Sequence, residues 1–207
     1  MTYQDLLETC DFIPASPEKI AACEPFSCGE DEDQQDLNEF FAKDAIAYHN
    51  KLLGKTYFFC LHSNPQKVVT AFTVANDSIR LTNKIAEDSR EQFLESTDLR
   101  EKNIRRFPAV LLGRLATDKD FAGQGYGSAA MTFIKIFFRT KNKTGCRFII
   151  VDALNNDSTI NYYKKNGFQF LIEDERLEAK YVGIGMNRLP LHTRLMFFDL
   201  LTLNVSD

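Results

Sequence analysis

The first half of the chain has apolar residues at two different spacings, which separates a predicted helix from a predicted hairpin. Between positions 36 and 53 they recur every three or four residues, which predicts an amphipathic helix that ends at Gly54. Two short apolar runs follow at 57–61 and 68–74, separated by a His-Ser-Asn-Pro turn. This arrangement predicts two antiparallel strands joined in a hairpin.

The second half alternates apolar runs with segments of helical spacing. We predict strands at 109–117, 147–154, 168–172 and 194–202, helices from the Gly-rich turn to about position 141 and at 159–166, and a polar loop at 173–187. With the preceding hairpin, this order predicts an α/β or α+β fold with a mixed central sheet flanked by helices. No linker divides the chain, so we expect residues 1–207 to form a single domain.

Two segments give a weaker signal. Residues 79–106 are highly charged and show helical spacing in places, which predicts a solvent-exposed, partly helical insertion. Residues 1–35 are interrupted by three prolines, and an acidic run covers 29–36. Within them, Ser16 and Pro17 could open a short helix with proline at its first position.

Composition restricts the class of function. The chain has 207 residues, 44% of them hydrophobic, and its net charge of −4 argues against a protein that coats nucleic acid or anionic membrane. No apolar stretch reaches the roughly 18 residues that span a bilayer, and no secretory leader is seen. We therefore expect a cytoplasmic protein with five reduced cysteines and no membrane partner. No Cys or His spacing indicates a metal site.

The candidate chemistry centres on the segment between Asp118 and Ser128, which reads DKDFAGQGYGS. Its three alternate glycines, Gly123, Gly125 and Gly127, permit positive φ and let a ligand approach the main chain. The helix that follows offers the N–H groups of its first turn and the positive end of its dipole. This combination predicts a site for a pyrophosphate group.

Three kinds of anion site compete for this turn. A P-loop requires Gly-Lys-Ser/Thr, which is missing. A dinucleotide fingerprint requires GxGxxG and an acidic residue about 20 positions later, but Ser128 replaces the third glycine and the acid is missing. The remaining interpretation is the Q/RxxGxG/A turn of acyl-CoA N-acyltransferases.

Two motifs together make the chain resemble the GNAT superfamily of N-acetyltransferases. The first, RLATDKDFAGQGYGSAAM, covers residues 114–131, and the second, NNDSTINYYKKNGF, covers residues 155–168. The second is similar to the family signature N-x-x-A-x-x-F-Y-x-K-x-G-F, although Thr159 stands where Ala is usual. In the first, Ala122 replaces the usual Arg or Gln, which removes one side-chain contact to the pyrophosphate.

The resemblance implies a GNAT fold with acetyl-CoA between the ends of two splayed parallel strands, here 109–117 and 147–153. It implies no metal. Main-chain groups of Leu115, Ala116 and Thr117 would then hold the pantetheine arm, and Asn156 would hydrogen-bond the cofactor. The pyrophosphate would be held by the turn and the first helical residues, namely Ala122, Gly123, Gln124, Gly125, Tyr126, Gly127 and Ser128.

The same resemblance places Tyr163 near the cofactor sulfur. A phenol with a pKa of about 10 is neutral at pH 7 and can protonate the leaving thiolate, whereas the other interpretation is simple packing on the short helix. No motif identifies a general base, so Asp118, Asp152, Glu39, His49 and a water chain all remain open. No cysteine falls in either motif, which favours direct acetyl transfer in a ternary complex.

The acceptor is predicted to be a small-molecule or peptide amine. A weaker resemblance covers residues 25–59, which are similar to the opening of toxin-like GNAT proteins that acetylate aminoacyl-tRNA. The acidic net charge and the insertion depart from that branch, so tRNA acetylation is the alternative. A non-catalytic acyl-CoA-binding module is another alternative, supported by Ala122. An exposed final strand would allow a homodimer.

Overall fold

A computed structural model of the chain describes residues 1–81, 106–141 and 145–203. Within these ranges the strands are β1 (Cys10–Pro14), β2 (Lys55–Leu61), β3 (Val68–Arg80), β4 (Arg106–Thr117), β5 (Phe148–Leu154), β6 (Gln169–Phe170) and β7 (Thr193–Asp199). The helices are α1 (Tyr3–Thr9), α2 (Pro17–Ala22), α3 (Glu32–Glu39), α4 (Ala45–Asn50), α5 (Tyr126–Thr140), α6 (Asp157–Lys165) and α7 (Glu175–Val182). The strands form one mixed sheet in the order β1-β2-β3-β4-β5-β7-β6, which confirms the predicted α/β fold.

The chain clusters into two compact units that share strands β3 and β4. The first unit contains Met1–Asn76 and Leu112–Thr140, and the second contains Asp77–Leu111 and Lys141–Asp207. The single-domain organisation stays a prediction.

An antiparallel sheet covered by α5 forms the core of the first unit. β1 pairs with β2, and β2 pairs with β3, both in antiparallel register. The ring of Phe12 on β1 lies 4.7 Å from the ring of Phe133 and 5.6 Å from that of Phe137, both on α5. The apolar face that the spacing of α5 predicts is therefore the face that packs on the sheet.

The helix predicted at 36–53 is helical in three consecutive segments. α3 is followed by a π-helical turn, Phe40–Asp44, and then by α4. A capping box sets the start, since the Asp31 side chain accepts from the N–H of Gln34 at 2.8 Å and the Gln34 side chain accepts from that of Asp31 at 3.2 Å. The π-helical turn buries Phe40 and Phe41, which anchors the segment in the core.

The mixed signals of residues 1–35 resolve into three short elements. α2 begins with Pro17 at its first position and Ser16 as its N-cap, as the sequence predicts. α1 and β1 were not predicted. A capping box between Thr2 and Asp5 starts α1, and Pro14 is tolerated because β1 is an edge strand of the sheet.

The second unit is built on β5 and β7, which pair antiparallel along their full length. The described parallel register between β4 and β5 covers Ala109–Leu111 opposite Phe148–Ile150, although both strands run on beyond it. One face of the unit buries Ile79, Phe107, Phe148, Ile150, Leu171 and Phe197.

Several predictions for the second unit are wrong. Residues 173–187 are not simply a loop, because α7 forms there with Asp174 as its N-cap. The strand predicted at 168–172 is only the two residues of β6. β7 ends at Asp199, and it lies between β5 and β6 rather than at an exposed edge. The stated basis for a homodimer is therefore lost.

The insertion predicted at 79–106 lies almost entirely outside the described residues, which resume at position 106. Its two described ends are strand residues, because β3 continues to Arg80 and β4 begins at Arg106. The remaining helical content of this prediction stays untested.

Candidate active site

In the first unit, β4 leads into the Gly-rich turn, and the turn leads into α5. β4 ends at Thr117, and α5 begins at Tyr126. Gly123 and Gly125 have φ values of 73° and 91°, which disfavour any residue with a Cβ. A Cβ on Gly125 would also lie 3.3 Å from the Cβ of Met1. The strand–turn–helix arrangement predicted from the sequence is present, and two of its glycines have a conformational reason to be glycine.

The helix α5 begins at Tyr126, directly after the positive-φ residue Gly125. Gly125 precedes the helix and has no side chain, and the first N–H groups of any α-helix lack carbonyl partners within it. Gly127 lies inside this first turn, and Tyr126 packs its ring 5.3 Å from that of Phe121. Only the main chain of Tyr126 is thus available to a ligand.

The remaining cofactor residues predicted in this unit differ in exposure. Ala122, Gln124 and Ser128 are exposed, Leu115 and Thr117 are half-buried, and Ala116 is buried. The side-chain amide of Gln124 donates to the carbonyl of Asp120 at 2.8 Å, which stabilises the turn. The threonine hydroxyls of Thr117 and Thr70 lie 3.3 Å apart.

A buried ion pair holds the start of this turn. Lys67 Nζ lies 3.0 Å from a carboxylate oxygen of Asp118 and 2.9 Å from one of Asp120. The Asp118 side chain is only 2% exposed, and it also accepts from the N–H of Asp120 at 3.1 Å and of Ser27 at 3.4 Å. Burial by itself lowers the pKa of Lys67. The hydrogen bonds to Asp120 and Asp118 together raise it by more, so the pKa is above its ordinary value. The lysine therefore stays charged and fixes the turn to the β2–β3 hairpin.

In the second unit, Asn156 is the N-cap of α6. Its side-chain oxygen accepts from the N–H of Thr159 at 2.9 Å. Within the described part of the chain its side-chain NH₂ group has no hydrogen-bond partner. Asn156 therefore has a structural role that its position in the motif did not reveal, and its NH₂ group is left for a ligand.

Tyr163 lies on α6, with its ring 5.3 Å from the rings of Tyr162 and Phe168. Burial, and secondly the Asp152 carboxylate, raise the pKa of the Tyr163 phenol above its ordinary value of 10.0. Its hydroxyl has no hydrogen-bond partner among the described residues. The phenol is therefore protonated at neutral pH, as a proton donor must be.

Asp152, on β5, lines a cavity of about 390 Å³ in the second unit. The Asp152 side chain is partly exposed to solvent. Its pKa is nevertheless raised, mainly by partial burial and secondly by the negative charge of Asp77. A carboxylate with a raised pKa is a better proton acceptor near neutral pH than an ordinary one. Among the candidate bases, Asp152 has the electrostatic environment that suits the role.

The other candidate bases have less suitable surroundings. Asp118 is buried in its ion pair with Lys67. Glu39 is exposed on α3, where its hydrogen bond with Lys43 lowers its pKa, and His49 is exposed on α4. Asp118 in particular is a structural carboxylate.

Two residues of this site were missed from the sequence. Asp77 was not considered because the apolar signal of its strand stops at Val74, while β3 itself runs on to Arg80. Lys67 was not considered, because it lies between the predicted turn and the strand predicted at 68–74. A lysine directly before a buried strand was the available signal, but its partner lies about 50 positions away.

Within the ranges that the structure covers, no helix is long and apolar enough to cross a membrane. The same ranges contain no group of three or more His, Cys, Asp or Glu side chains arranged to bind a metal ion.

Residues 82–170 match the sequence family described as the acetyltransferase (GNAT) domain. This range contains the Gly-rich turn and the Asn156–Tyr163 motif. No curated protein matches the chain.

Solved structures of similar fold include structures of the proteins AtaT and KacT. A tyrosine-to-phenylalanine mutant of the toxin AtaT is 18% identical with a TM-score of 0.65, covering 94% of this chain and 92% of that chain. AtaT complexed with acetyl-methionyl-tRNAfMet is 19% identical with a TM-score of 0.63, covering 93% and 96%. A tyrosine-to-phenylalanine mutant of KacT is 18% identical with a TM-score of 0.64, covering 94% and 96%. At these identities the likeness concerns the fold.

Proposed function

We propose that the chain is a GNAT-type acetyltransferase, as the match of residues 82–170 to that domain suggests, and that it transfers the acetyl group of acetyl-CoA to a primary amine. The observation that carries the proposal is the strand–turn–helix of the first unit, whose positive-φ glycines place no side chain before the first turn of α5. The N–H groups of that turn suit a diphosphate, since helix N-termini bind anions through N–H groups and the helix dipole.

The residues present fit the cosubstrate. Gly123 has a positive φ, and no atom lies within 4 Å of the place where its Cβ would be, so the main chain at Gly123 is open to a ligand. In this proposal the N–H groups of the residues from Gln124 to Ser128 hold the diphosphate. The Asn156 NH₂ group, which has no described partner, holds the cofactor arm. When bound, acetyl-CoA supplies an activated acetyl thioester.

Tyr163 is the proposed general acid. Its phenol is kept neutral by burial and by the Asp152 charge, and its hydroxyl has no partner among the described residues. It can therefore donate its proton when a thiolate leaves. The raised pKa values of three cysteine thiols favour direct attack by the amine. Burial raises the pKa of Cys10 to about 12 and those of Cys28 and Cys60 to about 11. Thiols of this kind are poor nucleophiles.

An aminoacyl group on tRNA is the acceptor that the comparisons favour. The AtaT structure with acetyl-methionyl-tRNA aligns with 93% of this chain, and the residues at 25–59 resemble toxin-like GNAT proteins. The net charge of −4 favours a small-molecule or peptide amine instead, because tRNA binding draws on basic surface. Both acceptor classes belong in one assay.

The test measures free CoA released from acetyl-CoA with aminoacyl-tRNA and with a panel of small amines. Tyr163→Phe should lower kcat by about 10²–10⁴-fold, the usual contribution of a general acid, while the Kd of acetyl-CoA stays within about twofold. Tyr162→Phe is the matched control, since it removes the hydroxyl of the neighbouring tyrosine on the same helix.

Two results would contradict the proposal in different ways. Acetyl-CoA binding without CoA release from any acceptor would favour a non-catalytic acyl-CoA-binding module. A Tyr163→Phe enzyme with kcat within about twofold of the original would remove the acid role from this tyrosine.

A further inference from the structure

The cavity of the second unit is lined by both apolar and polar side chains. Of these residues, only Asp152 has a proposed role so far, as a candidate general base. Its apolar side is formed by Ile79, Ile150, Leu171 and Leu195, which belong to or pack against the buried core. Its polar side includes Asp77 and Asp152, together with Arg80, Arg106 and Tyr181. At about 390 Å³ it falls within the range of small-molecule sites, roughly 300–1,000 Å³.

The two carboxylates of this cavity, those of Asp77 and Asp152, form no ion pair within the part of the chain that the structure describes. Among the described residues Asp77 accepts only from the N–H of Ser78 at 2.6 Å. The two carboxylates lie near one another, so an ammonium group bound between them would be stabilised by both.

The other polar groups restrict which cation can enter. Tyr181 is already used, because its hydroxyl donates to the carbonyl of Arg80 at 3.1 Å and accepts from the N–H of the same residue at 3.2 Å. The exposed side chains of Arg80 and Arg106 line the same cavity and repel a second positive charge. A ligand with one ammonium group and an apolar neighbour fits this distribution better than a polyamine.

We propose that this cavity is the acceptor pocket, which takes a primary amine whose ammonium group faces Asp77 and Asp152 and whose adjoining side chain is apolar. This inference rests on the proposed acetyl transfer. The Asp152 charge raises the pKa of Tyr163, so the two side chains are close enough to interact. An amine bound at Asp152 would therefore react near the Tyr163 phenol.

The protons balance with these groups. The ammonium gives one proton to the Asp152 carboxylate, which later releases it to water. The nitrogen lone pair then forms the C–N bond as the C–S bond breaks. The thiolate takes the proton of Tyr163, and the second proton of the nitrogen restores the phenol. The products are the N-acetyl amide, CoA and one proton.

The first test is equilibrium binding of methioninamide, a minimal amine with an apolar side chain, to the full chain by calorimetry. Asp77→Asn and Asp152→Asn should each weaken binding about tenfold, as expected for the loss of a charge-assisted contact. Glu173→Gln removes an exposed carboxylate of the same unit outside the cavity and should leave binding unchanged. Equal affinities in all three variants would overturn the inference.

The second test fills part of the cavity with a larger side chain. It uses an exposed position, so that the substitution does not disturb the fold. Val182 lines the cavity and is 44% exposed, so Val182→Trp fills space with little effect on the core. It should lower kcat/KM for methioninamide at least tenfold and leave glycinamide nearly unaffected. Lysinamide should be a poorer substrate than methioninamide. An equal loss for both small amides, or a preference for lysinamide, would contradict the pocket.

The two proposals fail separately. Binding of acetyl-CoA and release of CoA with any amine test the acetyl transfer. If these occur while the Asp and Trp variants behave like the control, the transfer stands and the pocket is elsewhere. If methioninamide binding depends on both aspartates but no CoA is released, the cavity binds amines and the proposed transfer is wrong.

Discussion

Replacing Lys67 with methionine removes the cation that fixes the cofactor turn. The substitution keeps the length and apolar stem of the side chain and leaves Asp118 buried without its ion-pair partner, which is 3.0 Å away. Breaking a buried ion pair costs about 3–5 kcal/mol. Because Asp118 keeps hydrogen bonds from Asp120 and Ser27, and the Lys67 side chain is 15% exposed, we expect a loss of about 2–3 kcal/mol.

A matched control is available on the same unit. Lys43 makes a single 2.9 Å ion pair with Glu39, in which the two side chains are 71% and 62% exposed. Lys43→Met should therefore leave the urea midpoint nearly unchanged. Asp118→Asn combined with Lys67→Met should recover part of the loss, because the unpaired buried charge is gone.

The assay is urea unfolding of the four proteins, with acetyl-CoA affinity measured by calorimetry. Lys67→Met should also weaken acetyl-CoA binding about tenfold, since the turn that presents the N–H groups is no longer held, while Lys43→Met should not. Identical unfolding midpoints and affinities for Lys67→Met and Lys43→Met would refute the anchoring role of Lys67.

Three further predictions concern the turn and the cavity. Gly123→Ala and Gly183→Ala place a Cβ at positive φ with no atom within 4 Å, so each should cost about 1 kcal/mol, but only Gly123→Ala should weaken acetyl-CoA binding in calorimetry. Ala122→Arg should tighten acetyl-CoA binding several-fold, by adding a cation beside the diphosphate. This gain should shrink with salt. Burial and Asp77 raise the pKa of Asp152 in the folded state, so its ionisation destabilises the fold. Asp152→Asn should therefore raise the urea midpoint at pH values above the raised pKa and have no effect below about pH 3.9, the unfolded value.

The Gly-rich turn could be predicted because its conformational requirements are local. The glycines at 123 and 125 adopt positive φ for reasons set within the turn itself. The second motif likewise lies within one helix and its cap, from Asn156 to Tyr163. Local sequence therefore carried most of the proposed cofactor site.

Helix α7 was missed because its buried face is charged. Glu178 is 1% exposed and pairs with Arg194 on β7 at 2.8 Å, while its other oxygen accepts from the N–H of Leu195 at 2.6 Å. A buried glutamate resembles a solvated one in the sequence, and its partner is 16 positions away. The same limit hid the partnership between Lys67 and Asp118, and the approach of Asp77 to Asp152.

The most direct test of the central claim is a titration of the full chain with CoA, followed by the backbone amide signals in NMR. If the turn before α5 binds the diphosphate, the largest shifts should fall on the amides from Gln124 to Ser128, and Gly183 should serve as an unshifted reference glycine. Saturable binding of CoA with these amides unchanged would contradict the claim.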